Sequence, residues 1–502
     1  MDSSQRRTLR ERLTSLLSFR ATVGRREYAA VGVGLAVLKY AVEAAVIGSF
    51  TGKSYTPLDF VNPLLSSRAH FTADAPAWFG MGWVLWTLPF LWIAVSMSVR
   101  RASDIGISPW WGLVVLVPFV NLVGMWALAA APTRLVVPRT PEEQQKEEQQ
   151  AAEIQRAWSP PATASELPPD YVSPLQPVYA ALLGLTAGVG FMVAIVLLSV
   201  FVLSSYGAVL FFGSPIIAGA VSAYLLNAGS PRGLGITVLH SLATITVASL
   251  GFLLFGLEGA ICIVMAIPIM APLTIFGAVI GYSIATSLGR PEQSERPGML
   301  GCMILLPVIA VVESRLEPQP TIEIMTPIVI DAPPERVWGH VIAFSEIESP
   351  PEWFFRMGIA SPQRSRIEGT GVGAIRYCEF TTGTFVEPIT VWDPPHRLAF
   401  DVTEQPEPMF ELTPYRHIHP PHLDGSFRSL RGEFRLIALP DGRTRLEGRT
   451  WYQLRIHPLS YWTIWTDSID DRIHLRVLEH IRDLSETPSS EVPLLHSPHA
   501  QD

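Results

Sequence analysis

Four apolar runs, 178–203, 207–227, 233–255 and 259–287, follow one another with only short polar breaks, and this succession constrains the chain more than any other feature. The hydrocarbon core of a bilayer is about 30 Å thick and takes roughly 20 apolar residues as helix, because lipid offers no partner for an unpaired backbone group. Each run is long enough. Charged residues are scarce from 174 to 312 and frequent on either side, so the middle of the chain reads as dissolved in lipid. Composition agrees: charged residues make up 16% of the chain, against about 25% in ordinary soluble proteins, and there are 14 Trp.

Three more apolar segments come earlier: 28–49, the Trp-rich 77–98, and 110–131, which opens on Trp110 and Trp111 as interface anchors. A last run, 298–312, is short and fits either a full span with snorkelling flanks or a re-entrant segment. The expectation is an α-helical integral membrane protein of about eight transmembrane helices with a soluble C-terminal domain. Its pieces are read as a three-helix module at 1–133, a charged then Pro-rich linker at 134–177, a central membrane module at 178–314, a soluble domain at 320–486 and a tail at 487–502.

Orientation follows from basic residues in short loops. Arg6, Arg7, Arg10, Arg12, Arg20, Arg25 and Arg26 precede the first span, and Arg100 and Arg101 follow the second. Both clusters mark the cytoplasmic face. By parity the linker is outside and the C-terminal domain cytoplasmic, although Arg232, Arg290 and Arg296 then fall outside. The charged start is too long for the n-region of a signal peptide and is expected to stay attached. A multi-pass membrane protein is predicted, with the lipid bilayer as its first partner. The net charge of −8 and the lack of a dense basic stripe exclude a nucleic-acid footprint.

Within the spans, Lys39 and Glu43 lie four residues apart and read as a mutual ion pair, or more sharply as part of an ion or proton route. Gly184, Gly188, Gly213, Ala218 and Ala220 recur at helix spacing, as residues that let helices approach closely in lipid do. The three cysteines include no CxxC pair, which suggests neither zinc nor a redox dithiol. His417, His419 and His422 sit in HIHPPH on a Pro-rich stretch; imidazoles suit zinc, but a tetrahedral site wants a placed set with carboxylates or cysteines, so they read as an exposed loop ahead of a metal site. No metal and no cofactor is expected.

Residues 19–133 resemble the bacterial membrane family called domain of unknown function 805. Phe19-Arg20, GRREY at 24–28, VRRASDIG at 99–106, SPWW at 108–111, Pro118 and Asn121 carry the likeness, with Ala102-Ser103 where the family usually has Leu-His. The resemblance implies a topology and no chemistry. The Arg-Arg…Asp loop fits an anionic lipid surface, or simple anchoring on the basic side.

From 321 the pattern changes to one alternating strand, a helix, strand-like runs at 371–380, 384–392, 396–403, 427–439 and 443–454, and a long closing helix at 459–485. Asp441-Gly442 marks a hairpin turn. The glycines at 369, 371 and 373 precede a strand instead of opening a helix, so they read as a turn and not a phosphate loop. Residues 321–485 resemble the SRPBCC or START-like superfamily, near its polyketide cyclase/dehydrase branch. The likeness rests on IVIDAPPERVW at 328–338, GVG at 371–373, WDPPHRL at 392–398 and VLEHI at 477–481. It implies an α+β helix-grip domain, a sheet wrapped on the long helix around a cavity for a hydrophobic small molecule.

Candidate cavity residues are Trp353, Phe355, Tyr377, Glu379, Glu387, Trp392, Arg435, Arg449 and Trp451. Strand alternation puts Tyr377 with Glu379 on one face, and Arg449 with Trp451 on one face. No catalytic set is read. The leading expectation is a non-catalytic, membrane-tethered binder of a hydrophobic or lipid-like molecule. A cavity enzyme of the cyclase or hydrolase type, with Glu379 or Glu387 beside Arg449, is the rival, and a membrane interaction or stress-response protein is the third reading.

Overall fold

The computed structural model describes residues 16–19, 22–61, 71, 75–76, 78–116, 120–133, 176–287, 295–316, 319–415, 418–423 and 425–487. Arg6, Arg7, Arg10, Arg12, Arg20, Arg290, Pro118 and His417 lie outside them, as do nearly all of the linker and the tail. Leaving aside one short helix at Pro57–Val61, the α-helices described before the first strand are, in chain order, α1 (Arg25–Thr51), α2 (Trp78–Ile105), α3 (Val120–Ala130), α4 (Gln176–Val196), α5 (Ser214–Asn227), α6 (Leu234–Leu254), α7 (Ala260–Ser287) and α8 (Glu295–Leu316). Six of them, α1 and α4 to α8 with their flanking turns, are long and apolar enough to cross a membrane. The short run 298–312 lies within α8, whose apolar part is 18 residues long, about 27 Å of helix. The expected span at 110–131 is instead a 3₁₀ segment, Pro109–Leu116, followed by the 11-residue α3. Contacts divide the chain into two compact units, residues 1–195 with 212–248 and 270–309, and residues 196–211 with 249–269 and 310–502.

In the first unit α5 is the central helix, buried along nearly its whole length. Lipid gives no hydrophobic drive between helices, so close backbone approach and hydrogen bonds hold such a bundle. A Cβ at Gly277 of α7 would stand 2.0 Å from the carbonyl oxygen of Ile216, and one at Gly281 2.0 Å from that of Ala220. On another side, a Cβ at Gly184 of α4 would meet the Ser222 carbonyl at 2.7 Å. Ser222 also shares a hydrogen bond of 3.0 Å with Thr244 of α6.

Two charged groups of this unit are paired inside it. Lys39 bonds Glu43, and Trp83 Nε1 donates to the same carboxylate at 2.8 Å, which closes the expected ion pair within the bundle. Arg101 departs from the lipid-surface reading. Its side chain is fully buried; Nε donates to the Leu128 carbonyl at 2.9 Å, and the other nitrogens bond Ala131, Thr133 and Asp104. It satisfies carbonyls at the end of α3 that no later turn can reach.

The second unit carries the sheet: β1 (Thr321–Ile330), β2 (Pro362–Glu368), β3 (Ile375–Phe380), β4 (Gly383–Asp393), β5 (Arg397–Asp401), β6 (Phe427–Ala438) and β7 (Thr444–Leu454), in the order β1-β7-β6-β5-β4-β3-β2 with every pair antiparallel. Between β1 and β2 come α9 (Pro334–Ile342) and α10 (Trp353–Arg356), and the chain closes with α11 (Leu459–Glu486). Pro327 is tolerated because β1 is an edge strand. Register shifts at Ile389/Val391 and Ser429/Arg431 bend the sheet. Gly442 takes φ +84° in the β6–β7 turn, a conformation a side chain would resist. One core cluster joins α9, the sheet and the C-terminal half of α11, with Val337, Leu398, Leu446, Leu478 and Ile481 fully buried.

The tight glycine contacts generate a test. Gly281→Leu drives a side chain into the α5 backbone, an overpacking that costs about 1–3 kcal/mol or more. Its thermal midpoint in detergent is expected to fall well below wild type, while Gly190→Leu, at a position with open space around it, is expected to match wild type. Equal midpoints for the two variants would refute the α5–α7 contact.

Candidate ligand-binding site

A cavity of about 200 Å³ opens between the inner face of the sheet and the N-terminal half of α11. Side chains of a strand alternate, so one face of each strand supplies the wall. Arg376, Cys378 and Phe380 come from β3, Glu387 from β4, Phe400 from β5 and Phe434 from β6. From α11 come Thr466, Asp470 and His474, at helical spacing. Cys262 and Met265 of α7 complete the wall.

Arg376 and Glu387 stand directly opposite each other in the β3–β4 register and form a buried ion pair. The guanidinium is ringed by Phe344, Phe400 and Phe434, at 5.3–5.8 Å from the ring centroids. Burial opposes its charge, but Glu387 and Cys378 together outweigh it, so Arg376 is held above its ordinary value. Burial also lifts the Glu387 carboxyl, against the pull of Arg376. Arg376 Nε has no hydrogen-bond partner among the described residues, which leaves a charged donor in an apolar wall.

Asp470 is pushed up to about 8 by burial, with Asp467 adding to the rise, and its Oδ2 has no partner among the described residues. One turn further along α11, burial lowers His474 to about 4 against the opposing charge of Asp471. Its ring bonds Thr326 at 3.1 Å and Thr450 at 2.8 Å. At neutral pH the helix therefore offers a neutral acid and a neutral imidazole. Burial raises the Cys378 thiol to about 12, which leaves it inert as a nucleophile.

Of the residues expected in the cavity, Glu387 lines it centrally and Arg449 borders it, tied outward to Glu323 and Glu447. The others do not line this cavity. Tyr377 and Glu379 share a face, as alternation requires, but it is the outer one: Tyr377 lies under Arg366, and Glu379 bonds Arg364 at 2.7 Å. Trp451 is covered by Arg431. Trp392 packs edge-on against Trp338 beside α9. Arg435 is exposed, Trp353 is exposed on α10, and Phe355 is buried beneath it. The physical reason is Arg376: an arginine facing inward inverts the usual sign of the pattern.

Residues 321–455 match the family described as polyketide cyclase / dehydrase and lipid transport. Residues 16–137 match the family described as protein of unknown function (DUF805). Among solved structures, truncated norcoclaurine synthase from Thalictrum flavum is 13% identical, the match covering 34% of this chain and 96% of that one with a TM-score of 0.23. The Zhui aromatase/cyclase from Streptomyces sp. R1128 is 13% identical over 33% of this chain and 94% of that one, with a TM-score of 0.23. A protein from Nitrosospira multiformis is 17% identical over 32% and 94%, with a TM-score of 0.21. No curated protein matches the chain. The C-terminal part is a helix-grip domain of the polyketide cyclase/dehydrase type, and the chain is a membrane protein.

Arg376, Cys378, Asp470 and His474 of the helix-grip domain were not singled out in the sequence. The α11 pair was legible in principle: Asp470 and His474 interrupt the stripe that also carries Trp462, Val477, Leu478 and Ile481.

The unfolded Asp470 carboxyl ionises near its ordinary 3.8 and the folded one near 8, so between these values the folded state binds more protons and stability falls as pH rises. Asp470→Asn, which mimics the neutral acid, is expected to match wild type near pH 4 and to exceed its thermal midpoint increasingly up to pH 8. An offset independent of pH would contradict the assignment.

Proposed function

We propose that this chain is a membrane-anchored binding protein for a small apolar molecule that carries one acceptor group. The observation that supports this reading is the pairing of an apolar cavity with two unmatched donors, Arg376 Nε and the protonated Asp470. Ligand sites are mostly apolar, with a few polar groups that fix orientation. Size narrows the class: a dry cavity of about 150 Å³ holds benzene, so about 200 Å³ suits a molecule of one or two rings better than a two-tailed lipid. Cys262 and Met265 make a helix of the membrane module part of the wall, which favours loading from the bilayer.

Solvent extracts of the full-length, detergent-purified protein are expected to contain such a molecule at close to one per chain. Ile473→Trp, which fills the cavity from α11, is expected to weaken its retention at least about tenfold, or ~1.4 kcal/mol, without loss of fold. Identical extracts from both proteins would sink the proposal. The enzyme reading rests on Asp470, whose value near 8 suits a general acid at neutral pH. Conversion of the bound molecule that Asp470→Asn stops while binding persists would favour it.

We propose that the helix-grip domain lies on the cytoplasmic side: the basic residues before the first span, among them Arg25 and Arg26, favour that side for the N-terminus, and an even number of crossings, the six helices long and apolar enough to span, would return the chain to it. A green fluorescent reporter fused after Asp502 is expected to mature, and an alkaline phosphatase fused there to stay inactive. The opposite pair of results reverses the orientation.

A further inference from the structure

Where α7 begins, four side chains of ligand type converge. Glu258 precedes the helix, Cys262 lies in its first turn, Glu411 follows β5, and His422 sits in the 3₁₀ turn Pro421–Leu423. The first amides of a helix have no internal partner. Here Ala260 N donates to the Leu412 carbonyl at 2.8 Å and Ile261 N to Glu411 Oε2 at 3.1 Å, which docks the loop against the helix start. His422 is thereby buried instead of exposed on a loop, while His419 of the same motif stays half-exposed beside Glu407.

The geometry centres on the His422 ring. Cys262 Sγ lies 3.0 Å from Nε2, and Glu411 Oε1 lies 3.4 Å from the same nitrogen. On the far side Glu258 Oε2 lies 3.0 Å from Nδ1, while Glu258 Oε1 accepts the Tyr206 hydroxyl at 2.9 Å. The side chains of Glu411 and His422 are 0% and 5% exposed. Even so, Glu411 Oε1 makes no hydrogen bond among the described residues, while Glu258 Oε2 and His422 Nδ1 meet as an ion-pair contact. Buried polar atoms that crowd together without bonding are costly unless something else satisfies them.

We propose that this cluster is a site for a transition-metal ion of the zinc class, with Cys262, His422 Nε2 and Glu411 as ligands and Glu258 holding the imidazole through Nδ1. Tetrahedral zinc with bonds of about 2.0–2.3 Å needs ligand atoms roughly 3.3–3.6 Å apart. The 3.4 Å contact already fits, and the 3.0 Å contact opens by about half an ångström. A thiolate, an imidazole and a carboxylate exclude the all-oxygen preference of magnesium and calcium. A carboxylate on the second ring nitrogen is the usual way to fix a metal-bound histidine. Cys262 and His422 also line the cavity, so the fourth position faces it, open to water or to the acceptor end of a bound molecule. The metal site stands whether or not the cavity binds that molecule.

The test uses the full-length chain, purified in detergent without a histidine tag. Elemental analysis is expected to find close to one zinc per chain. After chelation, Co²⁺ is expected to bind with a near-ultraviolet thiolate-to-cobalt band that Cys262→Ser removes and that Cys302→Ser and Cys378→Ser keep. Glu258→Gln is expected to weaken Co²⁺ binding about 10–100-fold with the band retained. The wild-type band decides the matter even if a variant fails to fold. No stoichiometric ion and no band in wild type would overturn the proposal and leave an imidazolium held between carboxylates. A band that survives Cys262→Ser would overturn it as well.

Discussion

The hydrogen bond from the Ala260 amide to the Leu412 carbonyl, 2.8 Å long, joins the start of a membrane helix to a loop of the helix-grip domain. Much else depends on that docking. A helix start must find acceptors outside itself, and here the loop after β5 supplies them. The same logic recurs nearby. His457 N donates to the Tyr206 carbonyl at 2.8 Å, and Glu313 accepts from the amides of Ala208 at 2.6 Å and Val209 at 3.0 Å. These contacts draw residues 206–209, the start of α7 and the end of α8 into the compact unit that carries the sheet. The domain therefore meets three chain segments, and its cavity wall includes a turn of α7 that no isolated helix-grip domain would contain.

Elements whose physics is local were legible in the sequence. Apolar length marks α4 to α8, and alternation with Asp441-Gly442 marks the β6–β7 hairpin to within a residue at each end. The strand β2 was not, because PQRSRIE has no alternation of its own and is set by pairing with β3. The run at 110–131 has the composition of a span, yet Gly112 packs against the backbone of Val99, and the segment there tightens to 3₁₀. Arg101 shows the same limit: a basic residue at a loop reads as a surface anchor until the carbonyls of α3 claim it.

The site was less legible than the fold, for a reason visible in β3. Ile375-Arg376-Tyr377-Cys378-Glu379-Phe380 carries one charge on each face, so alternation defines two faces without naming the inner one. Only Phe344, Phe400 and Phe434, distant in sequence, decide that Arg376 is enclosed. His422 was hidden likewise. Its partners Glu258 and Cys262 lie about 160 positions away, beyond any spacing rule.

The domain divides its labour along α11. Toward its C-terminal half, Val477, Leu478 and Ile481 close an apolar core with Leu398 and Leu446, where burial is worth roughly 25 cal/mol per Å². Around its middle the helix presents Asp470 and His474 to a cavity that also encloses Arg376 and Glu387. Stability does not explain that second set. A buried ion pair is often no better than an apolar pair of the same volume, and a carboxyl forced to stay protonated opposes folding at neutral pH. Residues that fold the domain and residues that burden it thus follow one another along a single helix, with Val477 and Leu478 bordering both the core and the cavity. The burdened end is the one that abuts α7, where Met265 and Cys262 bring the membrane module into the wall.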